Sequence, residues 1–140
     1  MTVVDRRLAL MGLGAASALL MGGAAPADSQ TTSPPPPGAQ TKTLGEGVRQ
    51  VIYGEGPSII PGFKTVRLRD VILDPGAKIN PNPMTPMICH MAQGELEVVR
   101  TNESFTAQPY RVWTCNAGMS EGVTNKGNTV AVMRIIDLMA

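Results

Sequence analysis

The sequence predicts an all-β domain whose antiparallel strands close into a barrel or stack as a double sheet. Three observations carry this. Apolar residues from Val48 onward recur with a period close to two, and proline and glycine interrupt them at short intervals. No internal segment has the length and 3.6-residue apolar period of an amphipathic helix. Short strands in regular succession suit architectures that leave few sheet edges open to solvent.

The elements follow in chain order. A first strand is expected over residues 48–53, and residues 54–62 read as irregular because Pro57 and Pro61 lack the N–H that a ladder needs. Residues 64–73 alternate, with Val66, Leu68 and Ile72 on one face and Arg67 and Arg69 on the other, before Pro75-Gly76 turns the chain. Strands over 87–92 and 95–100 flank Gly94, a brief strand over 104–107 follows the turn at Asn102, and another spans 111–115. The last run sets Val130, Val132, Ile136 and Leu138 against Thr129, Ala131, Met133, Ile135 and Met139. Both faces are largely apolar, so this strand is expected to be covered on both sides.

The N-terminal part has a different composition. Arg6-Arg7 precedes an apolar stretch over residues 8–25 that ends in Ala25-Pro26-Ala27. This is the layout of a secretory signal over residues 1–27, the adjacent arginines favouring the twin-arginine route, and it implies a periplasmic or secreted domain. Contact with the membrane is then confined to export or to an uncleaved leader. Residues 28–43, with Thr31-Thr32-Ser33 and the prolines 34–37, read as a disordered or polyproline-like spacer, leaving residues 44–140 as the single domain. Removing the leader takes away two of the 12 basic and one of the 11 acidic side chains, so the mature chain is close to neutral. With no basic run to meet a phosphate backbone, nucleic acid is not an expected partner.

Two stretches carry the candidate chemistry. The first includes Gly76, Asn80, Asn82, Met87 and Gly94; the second includes Tyr110, Asn116, Gly118, Glu121 and Asn125. Their spacing resembles the paired motifs of the cupin superfamily, in its small single-domain, RmlC-like form. In that pattern a His-x-His pair is followed by Glu and then Gly, and the second motif runs Gly, Pro-x-Gly, His and Asn. Here Asn80 and Asn82 stand for the histidines, Met87 for the glutamate, Tyr110 for the first glycine of the second motif, Asn116 for its proline and Glu121 for its histidine. Gly94, Gly118 and Asn125 are retained. The resemblance implies a cupin-like antiparallel β-barrel, a double-sheet jelly roll, with a degenerate metal site. Family members hold iron, manganese, zinc, copper or nickel through three histidines and a glutamate. Two amides, a thioether and one carboxylate are a poor set for a divalent first-row ion. No metal is therefore expected; a transition metal such as copper, iron or manganese, if held, would fall to Asn80, Asn82, Met87 and Glu121.

Strand alternation puts Met87, Cys89 and Met91 on one face and Ile88, His90 and Ala92 on the other. If the Met87 face looks inward, as the resemblance implies, Met87, Cys89, Met91, Cys115 and nearby methionines line a sulfur-rich interior. Soft sulfur ligands favour monovalent copper, although methionine and cysteine are also ordinary core residues. His90, the only histidine, falls on the outer face. Glu121 is the candidate acid or base, on the expectation that its side chain enters an apolar cavity. Trp113 is a candidate pocket wall or core residue. Cys89 and Cys115 are the only cysteines, and bridge and free thiols both remain open.

The expectation is thus an exported cupin-like protein that binds a small molecule among Asn80, Asn82, Met87, Cys89, Met91, Trp113 and Glu121. The alternatives are an enzyme using Glu121 and a periplasmic copper-binding protein using the Met/Cys cluster. Apolar strand faces also suit a homodimer.

Overall fold

The structure, a computed structural model, describes residues 34–140. The expected leader and the first part of the spacer lie outside the described residues. Among the described residues there are ten strands and no helix. They are β1 (Gln40–Gly45), β2 (Val48–Pro57), β3 (Thr65–Leu73), β4 (Lys78–Ile79), β5 (Met87–Gln93), β6 (Leu96–Arg100), β7 (Glu103–Ala107), β8 (Val112–Cys115), β9 (Glu121–Thr124) and β10 (Ala131–Met139). A six-stranded sheet in the order β1-β2-β3-β10-β5-β8 faces a four-stranded sheet in the order β4-β9-β6-β7, and every pairing is antiparallel. This is the double-sheet jelly roll that the sequence predicted.

Four elements depart from the sequence reading, one of them β9, a four-residue strand within the second motif that the sequence reading did not expect. β1 forms within the expected spacer, where Gln40, Thr41, Lys42 and Thr43 pair with Ile52, Val51, Gln50 and Arg49. Their polar side chains gave no apolar period because an edge strand needs little burial. β2 continues through Gly54 to Pro57 by way of a register shift between Ile52 and Gly54, so the extra residue is absorbed as a bulge. β4 is too short to show any period.

Register explains where the core lies. Met133 stands opposite Val71 on β3 and Met91 on β5, and Ile135 stands opposite Arg69 and Cys89. Asp137 stands opposite Arg67 and Met87, and Met87 opposite Cys115. Leu96, Val98, Ala107 and Val123 of the smaller sheet complete the buried cluster. The interior is therefore graded: apolar around Leu73, Ala131 and Leu96, then sulfur-rich, then polar at the end that carries Arg67, Asp137, Arg100 and Glu121.

The apolar end is closed by Asn125, the retained motif asparagine. Its amide nitrogen donates to the carbonyls of Leu73 (3.0 Å) and Thr129 (2.8 Å), and its carbonyl oxygen accepts from the Gly127 N–H at 3.0 Å. One buried side chain thus ties the loop after β9 to the end of β3. Gly94 has φ +68°, and an added Cβ would lie 2.8 Å from the Val130 carbonyl oxygen, so backbone conformation and space both demand glycine. Tyr110, at the position of a family glycine, keeps the left-handed backbone with φ 73°.

Candidate functional site

A cavity of about 320 Å³ opens at the polar end, between the inner face of the six-stranded sheet and the β4–β5 loop. β3 and β10 supply Arg67, Arg69, Val71, Met133, Ile135 and Asp137, and β2 supplies Gln50. Ile79 and the loop residues Pro81, Asn82, Pro83, Met84 and Thr85 form the opposite wall, with Met87 between them. The prolines fix φ along this loop and hold it away from the sheet without a helix or strand to stiffen it.

The polar floor is an ion-pair network. Asp137, 1 % exposed, receives Arg67 Nε (2.8 Å) and Arg69 Nε (2.8 Å) at Oδ2, and Arg69 Nη2 (2.9 Å) at Oδ1. Arg69 Nη1 donates to Gln50 Oε1 at 3.0 Å, and its Nη2 also faces Met87 Sδ at 3.7 Å. Burial pushes the Asp137 carboxyl upward, but the hydrogen bonds and charges of Arg69, then Arg67, outweigh it and hold the group below the usual carboxylate range. The alternation in residues 64–73 was read correctly; the structure shows that the arginine face is the inward one. Two arginines can point into a barrel because Asp137 comes into phase with them on the neighbouring strand. Arg67, Arg69, Asp137 and Gln50 are thus site residues that sequence reasoning missed. Their only signal was a charged residue interrupting the apolar alternation of the last strand.

A second polar group lies beside the sulfur layer. Glu121, 1 % exposed, accepts from Arg100 Nε at 2.9 Å on Oε2, while its Oε1 has no hydrogen-bond partner. Arg100 Nη2 reaches Cys115 Sγ at 3.3 Å and the Thr114 carbonyl at 3.0 Å, and the Cys115 thiol faces Glu121 Oε2 at 3.4 Å. Cys89 and Cys115 are free, buried thiols and diagonal neighbours across β5 and β8. Donating to Cys115 raises the Cys89 thiol, and burial raises it further. The Cys89 thiol lowers Cys115, against burial and the Glu121 carboxylate, which both raise it, with Arg100 adding a smaller lowering.

The structure separates the residues that motif spacing grouped. Asn82 and Met87 line the cavity. Asn80 is exposed, with its Oδ1 over Gly122, where an added Cβ would meet it at 3.3 Å. Cys89, Met91 and Trp113 belong to the packed core, and Trp113 meets Phe105 edge-on with ring centroids 5.8 Å apart. Glu121 points inward as expected, but beside a guanidinium instead of in an apolar hollow. His90 is on the outer face, opposite Arg134 and Val112. The donor set does not fit the family's metal: one amide lies outside, the thioether faces Arg69, the carboxylate is paired with Arg100, and no group of three or more His, Cys, Asp or Glu side chains among the described residues is placed to hold an ion.

A larger groove, about 450 Å³, lies on the outer face of the six-stranded sheet between Pro35, Arg49, Tyr53, Gln93 and Arg134. Its polar centre is an internal network in which Tyr53 donates to Asp70 at 2.7 Å and Arg134 to Asp70 at 2.9 and 3.0 Å. The interior cavity is the better site, because the motif-derived residues Asn82 and Met87 reach it and the outer groove contains none of them.

The backbone resembles solved structures. A cupin-2 domain from Rhodospirillum rubrum superposes with a TM-score of 0.64 at 11% identity, covering 83% of this chain and 80% of that one. The chain has a cupin fold. An RmlC-like cupin from Shewanella frigidimarina gives 0.55 at 10% identity, covering 74% and 86%. KdgF from a Halomonas species gives 0.57 at 16% identity, covering 72% and 87%. No protein-family model matches the sequence, and no curated protein matches it significantly. At these identities the cupin likeness concerns the fold alone.

Proposed function

We propose that this cupin-fold protein is an exported binding module that takes a small, neutral, largely apolar molecule into the cavity between the six-stranded sheet and the β4–β5 loop. The observation that carries the reading is the cavity itself: about 320 Å³, walled by Leu44, Val71, Ile79, Met133 and Ile135, with the donors of its two arginines directed largely at Asp137. This volume is at the lower end of the usual range for ligand pockets, which are mostly apolar with a few placed polar groups. Both Asp137 oxygens are occupied by arginines, and Arg67 also faces the half-exposed Glu55 at 3.6 Å, so two guanidiniums are set against two carboxylates, of which Glu55 stands outside the cavity lining. Gln50, Asn82 and Thr85 supply amide and hydroxyl groups suited to a carbonyl or alcohol. The Arg-Arg layout of the leader supports export.

The metal-dependent alternatives lose support from the same geometry. Guanidinium groups face both Met87 Sδ and Cys115 Sγ, so a cation placed among these sulfurs would meet two fixed positive charges. Glu121 does not line the cavity, which weakens a proton-transfer role on a ligand held there.

Ligand-observed saturation-transfer NMR on the purified chain tests the proposal with a panel of small branched ketones, lactones and alcohols beside matched carboxylates and amines. Neutral members are expected to bind in preference. Binding of none of them, or a preference for the charged members, would refute it.

A further inference from the structure

The strand register gathers the loops over residues 58–64, 80–86 and 116–120 at one end of the barrel, the end where the cavity opens. The Lys64 N–H donates to the Met139 carbonyl at 2.8 Å, and the Leu138 N–H to the Pro86 carbonyl at 2.8 Å. The end of β10 thus holds the β2–β3 loop on one side and the β4–β5 loop on the other. β3 and β5 flank β10, so the bases of these loops stand two strand spacings, about 10 Å, apart. The Gly118 N–H donates to the Pro83 carbonyl at 2.7 Å, which brings in the β8–β9 loop. At the tips Ile59 is 100 % exposed, Met84 88 % and Ile60 48 %.

A lone apolar side chain on a surface is ordinary; here three stand together where charge is missing. In these three loops and the β6–β7 turn over residues 101–102, Lys64 is the one charged side chain. Each of the five loops at the opposite end carries a charge: Glu46, Asp74, Glu95, Arg111 and Lys126. Charges on the strands adjoining the apolar tips are paired, Glu55 with Arg67 at 3.6 Å and Glu103 with Arg100 at 3.7 Å. The backbone of the loops is also largely satisfied. The Ser58 N–H donates to the Lys64 carbonyl at 2.9 Å, the Ile60 N–H to Ser58 Oγ at 3.0 Å and the Phe63 N–H to the Ile60 carbonyl at 3.1 Å. Pro61, Pro81, Pro83 and Pro86 have no N–H to lose to a medium without water.

We propose that this end of the barrel docks on the surface of an anionic lipid bilayer, with Ile59, Ile60 and Met84 entering the interface. The contact goes beyond any made by the expected leader, and it does not depend on which molecule the cavity takes. Apolar tips on separate loops around an opening form no continuous flat face for a folded partner, whereas fluid lipid closes around each tip. Lys64, exposed at the base of its loop, then lies at headgroup level, where it meets lipid phosphate. Met84 both tips its loop and lines the cavity, so docking turns the cavity mouth toward the lipid.

Amide hydrogen exchange of the full chain, with and without vesicles of phosphatidylethanolamine and phosphatidylglycerol, tests this residue by residue. It therefore separates docking of the barrel from binding by residues 1–27. Exchange at residues 59–60 and 84–85 is expected to slow on vesicles, with residues 46–47, 74–77 and 125–130 unchanged. Ile59→Ser combined with Ile60→Ser should reduce the slowing at residues 84–85 about tenfold or more. Lys64→Gln should reduce it about fivefold, and only on vesicles that contain phosphatidylglycerol. These side chains are exposed, so exchange in the core strands should match wild type and report an intact fold. Unchanged exchange at the two loops on vesicles, equal slowing at both ends of the barrel, or full slowing in the double variant would overturn the proposal. So would slowing without lipid that grows with protein concentration, which would make the occupant a second copy of the chain.

Discussion

Replacing Asp137 by Asn removes the charge that allows two arginines to face into the barrel while leaving shape and volume almost unchanged. Three donors converge on its carboxylate at 2.8, 2.8 and 2.9 Å, and its side chain is 2 % exposed. Breaking a buried ion pair by removing one partner costs about 3–5 kcal/mol. Arg67, with 28 % side-chain exposure, recovers part of that through water, whereas Arg69 at 13 % does not. One amide oxygen also still accepts, so a loss of about 3 kcal/mol is expected at neutral pH. Urea unfolding of wild type and Asp137→Asn measures it. The acid limb is a second readout. The folded Asp137 carboxyl titrates below its unfolded value of about 3.9, so its contribution is complete above that value and is lost as pH falls through the lower folded one. Wild type should therefore lose stability in that window, and Asp137→Asn should lose less there. A penalty under about 1 kcal/mol at neutral pH, or an acid limb identical in the two proteins, would refute the reasoning.

Further substitutions probe the frame that holds the cavity. Tyr110→Gly should stabilise the domain by up to about 1 kcal/mol, because the side chain is 87 % exposed and the backbone is already left-handed; a lower urea midpoint would contradict this. Gly94→Ala should destabilise by more than about 2 kcal/mol, since the new Cβ meets the Val130 carbonyl at 2.8 Å and the φ is +68°. Asn125→Ala should cost about 2–4 kcal/mol and expose the end of β3 to amide hydrogen exchange, through loss of the hydrogen bonds to Leu73 and Thr129.

The fold was legible because its signals are local. Strand period, Pro and Gly punctuation, and Gly94 and Gly118 at their spacings all follow from backbone geometry that a single sequence displays. Tyr110 shows why glycine alone is an incomplete signal: the position retains φ 73° without the residue. The site was legible only in part. Motif spacing led to Met87 and Asn82, which do line the cavity, but also to Asn80, whose side chain lies over Gly122 on the surface. Counting along the chain places a backbone position; it does not aim a side chain across a proline-rich loop. The Arg67–Arg69–Asp137 network was hidden for another reason. Its members come from strands far apart in sequence, and arginines on an alternating strand ordinarily mark the solvent face. Cys89 and Cys115 were each expected on a strand, but that β5 and β8 pair, and that the Arg100 guanidinium beside Cys115 comes from β6 of the opposite sheet, had no local signal.

Ile79 stands on the cavity wall, half-buried in the two-residue strand β4. Ile79→Trp should fill the cavity while altering little else, as retention of the wild-type urea midpoint within about 1 kcal/mol would confirm. The dissociation constant of the tightest neutral panel compound, measured by titration calorimetry on wild type and on this variant, tests the central claim most directly. Weakening by more than about tenfold, or ~1.4 kcal/mol, is the predicted result; equal affinity for the two proteins would place the ligand elsewhere and contradict the account.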